Sequence, residues 1–94
     1  NFYYDLVIDY SETKNALSKN SQGKSLLLRI KMDLNLKVIE NDKIIMEKNY
    51  KTNFDYQNLD KKFELSDYEN EIRKNMFDEI SNKILIDLID LKWF

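Results

Sequence analysis

From Leu26 to Tyr56 apolar and polar side chains alternate almost without a break. Leu26, Leu28, Ile30, Met32, Leu34, Leu36 and Val38 fall on one face of an extended chain. Arg29, Lys31, Asp33, Asn35 and Lys37 fall on the other. A period of two held this long predicts a strand with one dry and one wet face. At ~3.3 Å per residue it would run about 45 Å, far beyond the usual strand of about 5–6 residues. The run from Lys43 to Tyr56 alternates as well, with Ile44, Met46, Tyr50, Thr52, Phe54 and Tyr56 on the apolar side and Lys48 as the exception.

The two runs predict their own register. With Glu40 opposite Ile44, Val38 meets Met46, Leu34 meets Tyr50, Ile30 meets Phe54 and Leu28 meets Tyr56. On the wet face Lys37 then meets Glu47, Asp33 meets Lys51 and Arg29 meets Asp55. Each opposite-charge pair contributes only about 0.2–1 kcal/mol, but a slip by one residue would turn every side chain over. This register requires a three-residue loop, Asn41-Asp42-Lys43, with Lys43 left-handed, although Asn41-Asp42 alone would suit a two-residue turn. The face pattern is the stronger constraint.

Upstream, Phe2, Tyr4, Leu6, Ile8 and Tyr10 alternate with Tyr3, Asp5, Val7 and Asp9, a third strand that runs on to about residue 17. A polar loop follows around Asn20-Ser21-Gln22-Gly23, with the only glycine of the chain. The expected fold is α+β: an antiparallel three-stranded meander with strands at about 2–17, 25–40 and 44–57, and one long C-terminal helix on one face. The helix is expected at about 67–91. Ser66 and Glu69 have capping-box spacing, and Asp67 puts negative charge at the positive end of the helix dipole. Tyr68, Ile72, Met76, Ile80, Ile84 and Leu88 recur every fourth residue, with Phe77, Leu85 and Leu91 widening the stripe. About 25 helical residues span about 37 Å, nearly the length of the strands, so the helix can lie along the dry face. At residues 84–94 apolar side chains point nearly all round. One sheet cannot cover them all.

The 94 residues form one domain or part of one, 43% hydrophobic and 34% charged, which suits a folded soluble domain. The net charge of −2 supplies no cationic field for nucleic acid, and no apolar run is long enough for a transmembrane helix. The chain contains neither Cys nor His, which removes disulfides, thiolates, imidazole bases and the usual zinc ligands. The opening Asn1-Phe2-Tyr3-Tyr4 reads as the interior of a longer polypeptide.

Four places could carry chemistry. Asp87 with Asp90, and Glu69 with Asp67, are formal carboxylate pairs, but acid–base work needs them converging in a cleft. Their helical positions near lysines such as Lys83 predict a solvated charged face. Asp5 and Asp9 share a strand face without a third cation ligand. Tyr50, Phe54 and Tyr56 could stack bases, yet they continue the apolar face and are read as core. Lys14, Lys19 and Lys24 flank the Gly23 loop and could meet anions. There is no Gly-rich phosphate loop, nucleophile–base pair or cofactor motif, so the expectation is a non-enzymatic binding protein.

The order of parts resembles a known family. A long strand and a tight turn lead to a second long strand ending Tyr50-x5-Tyr56-x-Asn58. A short polar stretch then precedes the helix Glu69-x-Glu71-Ile72-x3-Met76-x3-Ile80-x3-Ile84. This is similar to the outer-membrane lipopolysaccharide-assembly lipoproteins, the LptE family, over nearly the whole chain. The resemblance implies a sandwich of two helices on a four-stranded mixed sheet, of which this chain would hold the last three strands and the last helix. It implies a lipid-anchored protein on the periplasmic face of the outer membrane, touching the membrane only through an N-terminal anchor absent from this chain. It further implies LptD, the barrel it plugs, and lipopolysaccharide as partners, with no nucleic acid, metal or cofactor. Family members use basic residues in two regions for lipopolysaccharide contact. Here those regions offer Lys19 and Lys24 beside Gly23, and Lys61 and Lys62 before the helix, while Ser66 stands nearest the family's basic position. An interaction domain of some other secreted or periplasmic protein could share the same meander and helix.

Overall fold

A computed structural model describes residues 4–91. Strands β1 (Tyr4–Lys19), β2 (Ser25–Glu40) and β3 (Lys43–Gln57) form an antiparallel sheet in the order β1-β2-β3, followed by helix α1 (Lys62–Asp90). The molecule is a rod of 61 × 19 × 17 Å. The α+β meander with one long C-terminal helix is the expected architecture. Residues 2 and 3 of the expected first strand lie outside the described residues. That strand continues to Lys19 rather than ending near 17.

From Val38 onward the β2–β3 register matches the reading from face pattern and charge, but the expected Glu40–Ile44 pair does not form, because Ile44 stands opposite Ile39. Val38 pairs with Met46, Leu34 with Tyr50, Ile30 with Phe54 and Leu28 with Tyr56, while Lys37, Asp33 and Arg29 oppose Glu47, Lys51 and Asp55. The expected three-residue loop is wrong. The turn is Asn41-Asp42 alone, with φ of 49° and 65°, the positive values that a tight hairpin demands and that Asn and Asp tolerate. Lys43 is the first residue of β3 and pairs with Glu40. A β-bulge reconciles the turn with the register. Ile39 pairs with Ile44 and Val38 with Met46, so Ile45 is the extra residue. It absorbs the one-residue offset.

The β1–β2 pairing runs from Tyr4 opposite Glu40 to Ala16 opposite Leu28 without a shift. Leu17 and Leu26 then each stand without a partner in two compensating irregularities. Leu26 is therefore exposed and does not continue the core row. In the connecting loop the Asn20 side-chain oxygen accepts from the backbone N–H groups of Gln22 and Lys24 at 3.0 and 2.9 Å. Gly23, with φ 81°, supplies the left-handed residue.

The helix begins five residues earlier than expected. The cap is Lys61, which makes no side-chain capping bond, and Ser66 and Asp67 lie inside the helix. The capping box is therefore not used. Leu65 packs against the core, which anchors the extra first turn, and its N–H donates to the Lys61 carbonyl at 3.0 Å. The inward stripe is Leu65, Glu69, Ile72, Met76, Ile80, Ile84, Leu88 and Leu91. Tyr68, Phe77 and Leu85 sit beside or away from it and are exposed.

The dry row of β2 forms the core. Leu28, Ile30, Met32, Leu34, Leu36 and Val38 are buried beneath Ile72, Met76 and Ile80, with Tyr50 and Tyr56 closing the β3 side. Ile30, Leu36, Val38 and Ile80 are fully enclosed, and each such side chain contributes about 1.5–3 kcal/mol. A helix is about 10–12 Å across, and strands are spaced about 4.8 Å apart. One helix thus covers about two strands of the three. Here it lies over β2 and β3. Phe54, at the β3 margin, is exposed rather than core. On β1 the apolar side chains Leu6, Ile8 and Tyr10 stay 50%, 54% and 45% exposed.

Candidate interaction surfaces

Two tyrosine–carboxylate contacts fasten α1 to the sheet. The Tyr56 hydroxyl donates to Glu69. The Tyr50 hydroxyl donates to Asp87 at 2.6 Å. Because the strand places Tyr50 and Tyr56 six residues apart on the dry face, their hydroxyls reach the helix about five turns apart. Lys14 from β1 adds a 3.1 Å ion pair to Glu69, and Lys48 adds one of 2.8 Å to Asp87 while lying 5.8 Å from the Tyr50 ring centroid. Further pairs flank the helix. Arg73 bonds Glu12 of β1 at 2.9 Å, Thr52 of β3 donates to Glu79 at 3.2 Å, and the Phe77 ring meets Tyr10 edge-on with centroids 6.2 Å apart. Both carboxylates were expected to be solvated. Instead Glu69 is only 6% exposed and Asp87 is tied to β3. A buried carboxylate without such partners would cost several kcal/mol.

These contacts shift protonation. Burial opposes the charge on Glu69, but hydrogen bonds from Tyr56 and Lys14, together with the Lys14 and Arg73 charges, outweigh it and hold the carboxyl below its usual range. The Lys48 and Tyr50 hydrogen bonds pull Asp87 down despite some desolvation. Burial, then the bond to the carboxylate, pushes both Tyr50 and Tyr56 well above the usual phenol range. All four groups are locked in the protonation states of neutral pH, which suits fastening rather than proton transfer.

The basic residues in the two expected contact regions share one end of the rod. Lys24 of the β1–β2 loop pairs with Asp60 of the segment before α1. Asn58 bonds β2 there through its N–H to Leu26 O at 3.0 Å and its side chain to Ser25 O at 2.9 Å. Lys19 ends β1, Lys62 opens α1, and Lys61 lies 3.9 Å from Glu64. Lys24 and Lys61 are partly neutralised by these neighbours. The Tyr50-x5-Tyr56-x-Asn58 pattern thus has a structural reading: two helix fasteners and a strand terminator.

The reverse of the sheet is polar and uncovered. Arg29 forms a two-point bond with Asp55 at 2.6 and 2.8 Å, Asn49 donates to Asp33 at 2.8 Å, and Lys51 stands 3.8 Å from Asp33. The clefts are shallow and open, such as one of about 320 Å³ between β3 and α1 lined by Lys48, Tyr50, Lys83, Ile86 and Asp87. Among the described residues no group of three or more acidic side chains is placed to hold a metal, and no helix is long and apolar enough to cross a membrane. Asp5 and Asp9 lie on the outer strand. The polar face was legible in the alternation. The Tyr–carboxylate fasteners were not, because nothing in the local pattern pairs residues 13 and 37 positions apart.

The far end of the rod is apolar. Ile44 and Ile45 at the hairpin tip and Leu85, Ile86 and Ile89 at the end of α1 are exposed, Ile89 by 74%. The expected surplus of apolar surface is therefore present over residues 84–91, and residues 92–94 of that stretch lie outside the described residues. Neither a family model nor a curated protein sequence matches this chain.

Proposed function

We propose that this protein is an LptE-like, non-enzymatic assembly component at the periplasmic face of the outer membrane. In this reading it seats in the lumen of the LptD barrel and assists lipopolysaccharide insertion into the outer leaflet. The observation that supports it best is the narrow rod with one sheet face left polar and open. A plug needs hydrophilic surface toward a barrel interior, because the lumen-facing side chains of such barrels are polar. The lysines gathered at the loop end, Lys19, Lys24, Lys61 and Lys62, are the groups that would meet lipopolysaccharide phosphates.

The test is co-expression with LptD, with a photo-crosslinking side chain at Asn35 or Lys37 on the polar face. Crosslinks to lumen-facing barrel residues are expected, and none despite good expression would refute the plug reading. Charge reversal at Lys19 and Lys24 separates the two parts of the proposal: barrel association persists while lipopolysaccharide crosslinking falls. A second reading, a protein-interaction domain without a lipopolysaccharide role, is favoured by the bare apolar side of β1. It predicts partner binding that is indifferent to those lysines.

A further inference from the structure

The first half of β1 differs from every other edge of the molecule. Residues 5–10, Asp-Leu-Val-Ile-Asp-Tyr, form an outer strand whose free backbone edge has no partner strand among the described residues. Sheet edges are usually defended by lysines, prolines or bulges. The β3 edge has such defences in Lys43, Lys48, Lys51 and the bulge at Ile45. Residues 5–10 of β1 have no lysine, proline or bulge, and their only charges, Asp5 and Asp9, lie on the face away from the helix. Their pairing to β2 is regular from Tyr4 to Ala16, and Leu6, Val7, Ile8 and Tyr10 are all exposed.

The two faces of this stretch differ in chemistry. Leu6, Ile8 and Tyr10 point to the helix side, where Phe77 stands beside Tyr10. Asp5 and Asp9 point to the reverse, and neither has an ion-pair partner among the described residues. Across the strand Asp5 faces Ile39 and Asp9 faces Asn35. The one lysine between them, Lys37, faces Val7 and has Glu47 on its other side. Beyond Tyr10 the strand is already engaged, Glu12 by Arg73 and Lys14 by Glu69.

We propose that residues 5–10 of β1 accept an added β-strand from a partner protein, one that alternates apolar and basic side chains. Main-chain hydrogen bonds to the free edge would supply affinity, and alternate side chains would supply specificity. The apolar row would cover Leu6, Ile8, Tyr10 and Phe77, and the basic row would meet Asp5 and Asp9. A second copy of the same stretch fits poorly, because it brings two more aspartates and no base. The proposal does not depend on the barrel-plug reading.

The probe is a short synthetic peptide of alternating valine and arginine, measured by fluorescence anisotropy. One control has the same composition in block order, and another carries alternate N-methylated backbone nitrogens. The alternating peptide is expected to bind at least about tenfold more tightly than either control at the same salt. The double variant Asp5→Lys/Asp9→Lys, checked for fold by circular dichroism, should lose that binding and take up a valine–glutamate peptide instead. Equal binding of the block-order peptide would overturn the proposal, as would indifference to the charge reversal. A concentration-dependent dimer in sedimentation that the same reversal abolishes would assign the edge to a second copy, and would also overturn it.

Discussion

Deleting one residue from a β-strand ordinarily turns every later side chain to the wrong face. Deleting Ile45 should not. Ile45 is the surplus residue of the bulge, so its removal leaves Ile39 opposite Ile44 and Val38 opposite Met46, now directly consecutive. Every pair from Val38–Met46 to Leu27–Gln57 survives, as does the Asn41-Asp42 turn. The loss is one side chain that is already 39% exposed, a cost of about 1–2 kcal/mol. Deleting Asn53 is the contrasting case. If residues 54–57 shift, Tyr56 turns outward, Glu69 loses its buried donor and the Arg29–Asp55 pair breaks. If residues 46–52 shift to fill the bulge, Tyr50 turns outward and Asp87 loses both Tyr50 and Lys48. Either route exposes one of two tyrosines that are now buried, at about 1.5–3 kcal/mol. It also removes a hydrogen bond to a charged group at about 1.5–3 kcal/mol, so about 3–6 kcal/mol in all. Urea unfolding followed by helical circular dichroism reads both. Equal destabilisation by the two deletions would refute the bulge argument, and so would loss of the Arg29–Asp55 coupling in a double-mutant cycle built on the Ile45 deletion.

Three further outcomes are expected. Because Glu69, Asp87 and Asp55 are held below the usual carboxylate range, their stabilisation is full above the unfolded values near about pH 4 and is lost as pH falls through the folded ones. Thermal melts should therefore drop on acidification, and Glu69→Gln should start lower at neutral pH and drop less steeply. Tyr50 and Tyr56 are raised, so their neutral forms favour the fold below the unfolded phenol value of about 10. That contribution disappears as pH climbs through the folded values. Phenolate absorbance should show Tyr50 and Tyr56 lagging furthest, with a smaller lag at Tyr10 from burial and the neighbouring Glu12, and Tyr50→Phe/Tyr56→Phe should remove the larger part. Gly23→Ala meets no atom within 4 Å but must adopt φ near +81°, so it should cost about 1–2 kcal/mol in chemical denaturation. A neutral result would show that the loop relaxes to another turn.

Residue order alone determined the two faces of the sheet. A period-two pattern over more than a dozen residues has one register that keeps both the apolar row and the Arg29–Asp55, Asp33–Lys51 and Lys37–Glu47 pairs together. Side-chain alternation is a local geometric fact, so no tertiary information was needed. The helix was legible for the same reason, as a four-residue recurrence without Gly or Pro. Its start was not. Ser66 and Glu69 satisfy a local capping rule, but Leu65 finds the core and Glu69 finds Tyr56, so packing outweighed the cap. The turn is not legible because two local preferences conflict, and only a bulge, visible as a break in pairing, satisfies both. What tertiary structure decided is where the single helix sits. A cylinder about two strands wide laid on three must leave one bare. The hydroxyls of Tyr50 and Tyr56 draw it over β3. That choice buries Glu69 and leaves Leu6, Ile8 and Tyr10 of β1 open to solvent.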